Sequence, residues 1–112
     1  MQISRDDVAN TVVLRIEGWI DATTSSELER ELLGAISPQC SRVVLDFSSV
    51  AYISSAGLRI VLAAARQIRT LHGGFVIFGA EPTVQRVFEI SGFARIIPLV
   101  ASEAEALELV QR

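Results

Sequence analysis

Apolar and polar residues alternate in two ways along the chain, and each way predicts a different kind of element. Residues 12–17 alternate at every second position, which is typical of a strand with one buried face. The stretches 43–47 and 75–78 are almost continuously apolar, as expected for strands that are covered on both faces of a sheet. A first short strand begins at Ile3, and a turn over residues 6–10 joins it to the strand at 12–17 as a hairpin.

Helical spacing of apolar residues fills most of the remaining chain. Ser and Thr begin helices as caps, Pro is accepted in a first turn, and Gly or Pro ends a helix. Four helices are predicted from these signals. The first begins at the capping boxes Thr24–Glu27 and Ser26–Glu29 and ends before Pro38, and the second begins at Ser54–Gly57 and ends at His72–Gly74. The third begins at Glu81–Pro82 and ends at Gly92, and the fourth begins at the capping box Ser102–Glu105. Between these helices, Ser48–Ser54 is predicted as a loop, and Ile96–Ile97 as a short last strand ended by Pro98.

The predicted elements follow the order ββαβαβαβα, without internal repeats or linkers. Alternating strands and helices imply parallel pairing with right-handed crossovers, and the opening hairpin adds one antiparallel strand. We therefore predict the α/β class, with a mixed four- to five-stranded sheet and about four helices packed on it.

Composition and charge narrow the function classes. Half of the residues are hydrophobic and the net charge is −3, so a core can form and the basic footprint of a nucleic-acid-binding protein is absent. All ten basic residues are arginine, and without lysine a Schiff-base enzyme and a Walker-type phosphate site are excluded. One Cys and one His provide no zinc ligand set and no catalytic constellation, so we expect no metal, no cofactor and no enzyme activity.

Residues 1–7 are polar rather than a signal peptide, and the longest apolar stretch, 60–65, is too short to span a bilayer. The expectation is a soluble cytoplasmic protein without direct membrane insertion.

Segments that follow strands are the candidate functional segments, because sites in open α/β sheets form at the carboxyl ends of strands. Asp21–Thr24, Ser48–Gly57 and Gly79–Pro82 qualify, and they share one edge if their strands are parallel. Ser54 or Ser55 is placed to cap the following helix, where free N–H groups and the helix dipole favour a phosphate. Capping alone also explains the serine pair, and the residues by themselves favour that simpler interpretation.

Residues 46–58, Asp-Phe-Ser-Ser-Val-Ala-Tyr-Ile-Ser-Ser-Ala-Gly-Leu, resemble the signature of STAS domains, particularly of bacterial anti-sigma factor antagonists. That signature reads Asp-[Phe/Leu/Ile]-Ser-x-Val-x-[Tyr/Phe]-[Ile/Met]-[Asp/Ser]-Ser-x-Gly-[Leu/Ile]. Gly18-Trp19-Ile20-Asp21 is similar to the family's Gly-x-[Leu/Ile]-Asp after the second strand, and Gly92-Phe93 to its Gly-[Leu/Phe] after the third helix. The resemblance covers nearly the whole chain and implies one STAS domain over residues 1–112.

A regulatory binding protein is what this resemblance implies. In the antagonist group the serine before x-Gly, here Ser55, is phosphorylated by a partner that is both a GHKL-type serine kinase and the anti-sigma factor. The unphosphorylated protein binds this kinase and frees the sigma factor. Phosphorylation breaks the complex, and a PP2C-type phosphatase resets it. Well-known antagonists often carry Asp before the acceptor, where this chain has Ser54, so Ser54 is the alternative acceptor.

From the resemblance and from their position around the serine, we predict a partner-binding surface made of Asp21, Ser54, Ser55, Ala56, Gly57 and Arg59. Asp21 occupies the family's acidic position, with a helix cap as its alternative role, and Arg59 is suited to an acidic partner, with a solvated charge as its alternative. Trp19 and Tyr52 flank the motifs and are candidate anchors for a partner, with packing in the core or at its rim as the alternative.

A second function class stays open on the sequence alone. A STAS subunit of a membrane transport complex, such as a lipid-transport ABC system, would bind an ATPase without any phosphorylation. The intact Ser55 and the full-length motif favour the antagonist.

Overall fold

Five strands and four α-helices follow one another in the predicted order, in a computed structural model that describes residues 1–112. The elements are β1 (Gln2–Val8), β2 (Thr11–Ile20), α1 (Ser25–Gly34), β3 (Arg42–Ile53), α2 (Ser55–Thr70), β4 (Gly74–Phe78), α3 (Pro82–Ser91), β5 (Leu99–Val100) and α4 (Glu103–Val110). The strands form one sheet in chain order, in which β1 is antiparallel to β2 and all other neighbours are parallel. The predicted mixed α/β sheet is confirmed.

The sheet separates two apolar cores of unequal size. On one face α1, α2 and α3 pack against the strands around a core of 23 buried residues. On the other face α4 lies over β3 and β4. The smaller core beneath it consists of Val13, Val44, Val76, Phe78, Ala106 and Val110. Since α4 is short, the carboxyl ends of β2 and β3 remain uncovered on this face, and Trp19 and Tyr52 are exposed there.

The hairpin turn between β1 and β2 is tighter than the sequence predicted. It contains only Ala9 and Asn10, with φ angles of 50° and 64°. Two left-handed central residues match the twist of a two-residue hairpin. Asp6 and Asp7, which were predicted in the turn, lie in β1 and pair with β2.

The largest correction concerns β3, which continues through most of the predicted loop Ser48–Ser54 and ends at Ile53. β2 is long enough to keep pairing with it, and Ile20 pairs with Ile53 at the end of the ladder. Register shifts along this pair of strands absorb extra residues of β3. Val50 and Ile53 remain buried in the larger core, whereas the serines at 48 and 49 face solvent. The sequence of residues 48–54 is typical of a loop because the alternation of buried and exposed residues is interrupted at these register shifts.

The last strand is displaced from its predicted position at Ile96–Ile97. β5 is Leu99–Val100, and it pairs with the end of β4. Ile97 is fully buried in the larger core. The carbonyl of Pro98 accepts a hydrogen bond of 3.0 Å from the N–H of Ile77. Proline lacks a donor but keeps its acceptor, so here it leads into the strand instead of ending it.

Most helix boundaries agree with the sequence. The hydroxyls of Ser54 and Ser102 accept hydrogen bonds from backbone N–H groups three residues on, as helix caps do. α3 has Pro82 in its first turn and ends at Gly92, whose φ is 84°. None of the helices is long and apolar enough to cross a membrane.

Helix α1 departs from the prediction at both ends. Thr24 precedes it without making a side-chain cap, so the predicted capping boxes do not form. The Thr24 hydroxyl is engaged elsewhere, donating to the Trp19 carbonyl at 2.8 Å and accepting from the Asp21 N–H at 2.9 Å. At the other end α1 stops at Gly34, and residues 37–40 form a separate tight turn around Pro38.

Candidate functional site

The candidate site lies where β2 and β3 end side by side. The backbone N–H of Ser54 donates to the carbonyl of Ile20 at 2.8 Å, which holds the start of α2 against the turn that follows β2. This bond brings two of the predicted segments together, Asp21–Thr24 and the residues that lead into α2. Both lie at carboxyl ends of parallel strands, where sites form in α/β sheets.

The third predicted segment, Gly79–Pro82, meets only the beginning of the second one. β4 ends at Phe78, which pairs with Asp46, whereas β3 continues to Ile53. A Cβ built on Gly79 would lie 3.1 Å from the Cβ of Ser48, so this segment packs beside the middle of β3. The expectation that all three segments share one edge holds only in part: Gly79 meets Ser48, the first residue of the second segment, but β3 continues past the end of β4, so this segment is set back from the strand ends at Ile20 and Ile53.

Asp21 organises the turn after β2. Its Oδ1 accepts hydrogen bonds from the N–H (2.9 Å) and hydroxyl (2.7 Å) of Thr23 and from the N–H of Thr24 (3.1 Å). These bonds, above all the one from the Thr23 hydroxyl, hold the pKa of Asp21 below its ordinary value. The carboxylate is therefore a fixed negative charge on the turn beside the start of α2.

The two serines at the start of α2 are in different situations. Ser54 has extended backbone angles, is half-buried, and its Oγ accepts a hydrogen bond of 3.2 Å from the N–H of Gly57. Ser55 is the first residue of the helix and is exposed, and its hydroxyl takes part in none of the hydrogen bonds within the chain. The structure thus assigns the cap to Ser54 and leaves the hydroxyl of Ser55 free.

Gly57 positions the first turn of α2 against the sheet. It is buried, and a Cβ at this position would lie 2.5 Å from Cγ2 of Ile20 and 3.1 Å from Cγ1 of Ile53. Any side chain here would push the helix away from the strand ends. Gly57 therefore serves the site by close packing, while its neighbour Ala56 is half-buried.

Arg59 follows Ser55 by four residues and is exposed. Residues four apart share one face of a helix. Arg59 takes part in none of the salt bridges of the chain. Helix α2 carries three arginines and no acidic residue, so it is a positive element in a chain of net charge −3.

Trp19 and Tyr52 form an exposed aromatic pair beside the binding corner, our name for the turn at Asp21–Thr24 together with the start of α2 at Ser54–Arg59. They are register partners on β2 and β3, with ring centroids 5.3 Å apart and ring planes at 36°. Trp19 is 59% exposed and Tyr52 is 44% exposed. The sequence marked each as a candidate anchor, and only the strand register brings them together. Of the alternatives weighed, burial in the core does not occur.

Asp46 and Ser48, at the start of the motif, have a structural role in β3. Asp46 Oδ1 accepts a hydrogen bond of 2.9 Å from the Ser48 N–H, at the point where the register with β2 shifts. Its Oδ2 binds Arg15 at 3.1 Å. Arg15 also binds Asp6 and Glu103, and these carboxylates raise its pKa. This network joins β1, β2, β3 and α4, and it could not be predicted from the sequence because its members are far apart along the chain.

No group of three or more His, Cys, Asp and Glu side chains is placed to hold a metal ion. What the corner does offer is a free hydroxyl at a helix N-terminus, a fixed carboxylate, an unpaired arginine and two exposed rings. These groups suit the binding of another macromolecule and the attachment of a charged group.

Comparison with known proteins finds one matching family and several similar bacterial proteins. The family model of the STAS domain matches residues 2–106. BtrV of Bordetella bronchiseptica, which is assigned as an anti-sigma factor antagonist, is 40% identical over 106 residues, covering 95% of this chain and 90% of BtrV.

Solved structures give the same picture of the fold. The unphosphorylated anti-sigma factor antagonist SpoIIAA has a TM-score of 0.84 at 25% identity, covering 98% of this chain and 96% of that one. A Thermotoga maritima protein assigned as an anti-sigma factor antagonist has a TM-score of 0.91 at 20% identity, covering 98% and 95%.

Proposed function

The chain belongs to the STAS domain family, and on that premise we propose that it is an anti-sigma factor antagonist that works by partner switching. In its unphosphorylated form it binds an anti-sigma factor that is also a serine kinase of the GHKL type. Phosphorylation at Ser55 releases it, and a PP2C-type phosphatase restores the binding form. Residues 1–112 act as one STAS domain in this scheme.

The free hydroxyl of Ser55 is the observation that carries the choice of residue. A kinase must bring the attacking oxygen in line with the γ-phosphate, so the acceptor has to be accessible. Ser55 is exposed, whereas Ser54 is half-buried and its Oγ accepts a hydrogen bond from the N–H of Gly57. This difference favours Ser55 over Ser54 as the acceptor.

The start of α2 is suited to hold a phosphate without unfolding. The first N–H groups of a helix lack partners within the helix, and the dipole is positive at this end. No acidic residue lies in the first turn of α2. Arg59 is four residues beyond Ser55, and an anion placed before a cation at this spacing is the favourable orientation. A phosphate here would be stabilised locally, so switching would proceed by charge and shape rather than by refolding.

The size of the effect follows from the charge. A phosphoserine carries about −1.5 to −2 charges at neutral pH, placed in the middle of the binding corner. It would also pair with Arg59 and withdraw that cation from a partner. A loss of about 3 kcal/mol in binding free energy weakens affinity about 150-fold, enough to release a partner.

The test is a phosphate map combined with a binding series. The protein is purified from its native cells and, separately, incubated with the purified candidate kinase and ATP, and intact mass and fragmentation then locate any phosphate. We expect phosphate on Ser55 in the wild type and in Ser54→Ala, and none in Ser55→Ala. Ser26→Ala is the matched control, because Ser26 is also an exposed serine in the first turn of a helix. It should be phosphorylated like the wild type.

Calorimetry with the kinase then compares Ser55→Ala with Ser55→Glu. The alanine variant should bind like the unphosphorylated protein, and the glutamate variant at least tenfold more weakly. Phosphate on Ser54 would retain the mechanism and move the site. Absence of phosphate, together with equal binding of both variants to a membrane ATPase, would reject the switch in favour of a transport subunit.

A further inference from the structure

We propose that Trp19 and Tyr52 together are the apolar anchor by which this chain docks on the anti-sigma factor, an inference that rests on the proposed function. The two rings stand on the uncovered face of β2 and β3, in van der Waals reach of each other and largely open to solvent. Exposing two neighbouring large aromatic side chains to water is unfavourable, and such apolar patches on a protein surface mark sites where another molecule binds.

Both rings are held by the sheet rather than by a loop. Their strands are paired at this point, Trp19 opposite Tyr52, so the side chains project from a fixed backbone. Rigid aromatic side chains lose little conformational freedom on binding, which is one reason why Trp and Tyr dominate the energetics of interfaces. The other exposed large apolar residues, Ile90 and Ile96, lie on α3 and after the 3₁₀ turn that follows it, away from the strand pair.

The pair is continuous with the proposed phosphorylation site. Tyr52 precedes Ser55 by three residues, so their Cα atoms are at most about 11 Å apart. Arg59 lies about 6 Å further along the axis of α2 than Ser55. A standard interface buries about 800 Å² on each partner, which is a disc of about 16 Å radius. Both rings and Arg59 therefore lie within the radius of one interface at the strand ends, although the rings and α2 are on opposite faces of the sheet, so the partner must wrap around these ends.

These groups define the chemistry of the partner surface. It must offer an apolar recess that takes two rings and a carboxylate within reach of Arg59, which has no acidic partner in this chain. The rings expose about 250 Å² between them, only about a third of one side of a standard interface, so their partner must also cover the neighbouring surface at Ser55, which the proposed kinase has to reach. The occupant is accordingly the anti-sigma factor, and a second copy of the chain is the competing outcome.

The experiment measures the affinity of the purified anti-sigma kinase for four proteins: the wild type, Trp19→Ala, Tyr52→Ala and Ile90→Ala. The last is the matched control, because Ile90 is 75% exposed and lies at the far end of α3. We expect Trp19→Ala to weaken binding about 30-fold or more, as removal of an interface hot spot does, and Ile90→Ala to change it less than about twofold. Circular dichroism should show unchanged folding in all four, because the altered side chains are exposed.

A second measurement does not depend on any variant. Trp19 is the only tryptophan of this chain, so, once the emission of the kinase alone is subtracted, the fluorescence reports on this surface. Addition of the kinase should shift its emission to the blue and protect it from acrylamide quenching.

The outcomes separate this inference from the proposed function. If Ser55→Glu abolishes kinase binding while Trp19→Ala binds like the wild type, the switch stands and the aromatic anchor is refuted. If the kinase does not bind the wild type at all, the proposed function is refuted, and so is the assignment of the anti-sigma factor as the partner of the two rings. If sedimentation shows a dimer that Trp19→Ala dissociates, the occupant is a second copy and the inference is wrong.

Discussion

Gly57→Ala tests whether the start of α2 is set by close packing on the strand ends. The added Cβ would lie 2.5 Å from Cγ2 of Ile20, whereas carbon atoms in contact are about 3.5–4.0 Å apart. Ile20 is fully buried, so its side chain has no space to retreat into. Overpacking of this kind costs about 1–3 kcal/mol, and the better helix propensity of alanine offsets up to about 1 kcal/mol of it. We expect the free energy of unfolding to fall by about 1–2 kcal/mol.

The chain contains a matched control for this substitution. Gly34 is also a glycine within a helix, at the end of α1, but a Cβ there would meet nothing within 4 Å. Gly34→Ala should therefore raise the free energy of unfolding by about 0.5 kcal/mol. The assay is urea unfolding followed by circular dichroism, together with the melting temperature. For a chain of this length the Gly57→Ala loss corresponds to a decrease of about 4–8 °C.

Combining Gly57→Ala with Ile20→Ala provides an internal check. Removal of the Ile20 methyl groups creates the space that the new Cβ needs, so the double variant should lose about 1 kcal/mol less than the sum of the two single losses. If Gly57→Ala stabilises the protein as Gly34→Ala does, or if the two losses simply add, the first turn of α2 does not lie as close to Ile20 as described.

Three further predictions concern the frame around the site. Ala9→Gly should raise the free energy of unfolding by about 0.5–1 kcal/mol in urea titrations, because Ala9 has a φ of 50° that glycine adopts without strain. Arg15→Met should lower the free energy of unfolding by about 1–2 kcal/mol, because the substitution leaves three carboxylates without their common cation. Repeating the urea titration in about 1 M salt should reduce this loss, and an unchanged loss would contradict an electrostatic origin. Asp21→Asn should remove an acid-sensitive part of the stability: since the pKa of Asp21 is lowered by folding, its contribution is present above the unfolded value near pH 4 and is lost as the pH falls through the folded value. The stability difference between wild type and Asp21→Asn should thus narrow as the pH falls below about 4, and a constant difference would show that the turn is held by contacts that do not titrate.

The order of elements and most of their ends could be predicted from the sequence because local residues encode them. Ser54 and Ser102 cap helices through atoms only three residues away, and Gly92 ends α3 by adopting a left-handed conformation. Thr24 shows the limit of this reasoning. It has the sequence of a capping box, yet its hydroxyl is drawn to the Trp19 carbonyl on the neighbouring strand end.

β3 shows what local pattern cannot predict. Its second half reads as a polar loop, and it is a strand because β2 lies beside it and pairs as far as Ile53. Pairing partners lie about thirty residues apart along the chain, and the register shifts interrupt the alternation by which a strand is recognised. The same extension carries Ser55 beyond the end of β4 and separates it from Gly79.

The features of the candidate site can also be divided into those that the sequence determined and those that only the tertiary structure decided. By itself, the sequence determined the family, the α/β order and the serine motif, since each resides in residue identities at short spacing. Tertiary structure decided which serine keeps a free hydroxyl, that Gly57 is buried against Ile20 and Ile53, that Trp19 meets Tyr52, and which part of the sheet α4 leaves uncovered. These features depend on strand register and on the packing of helices against the sheet, and both are set by contacts between residues that are distant in the chain.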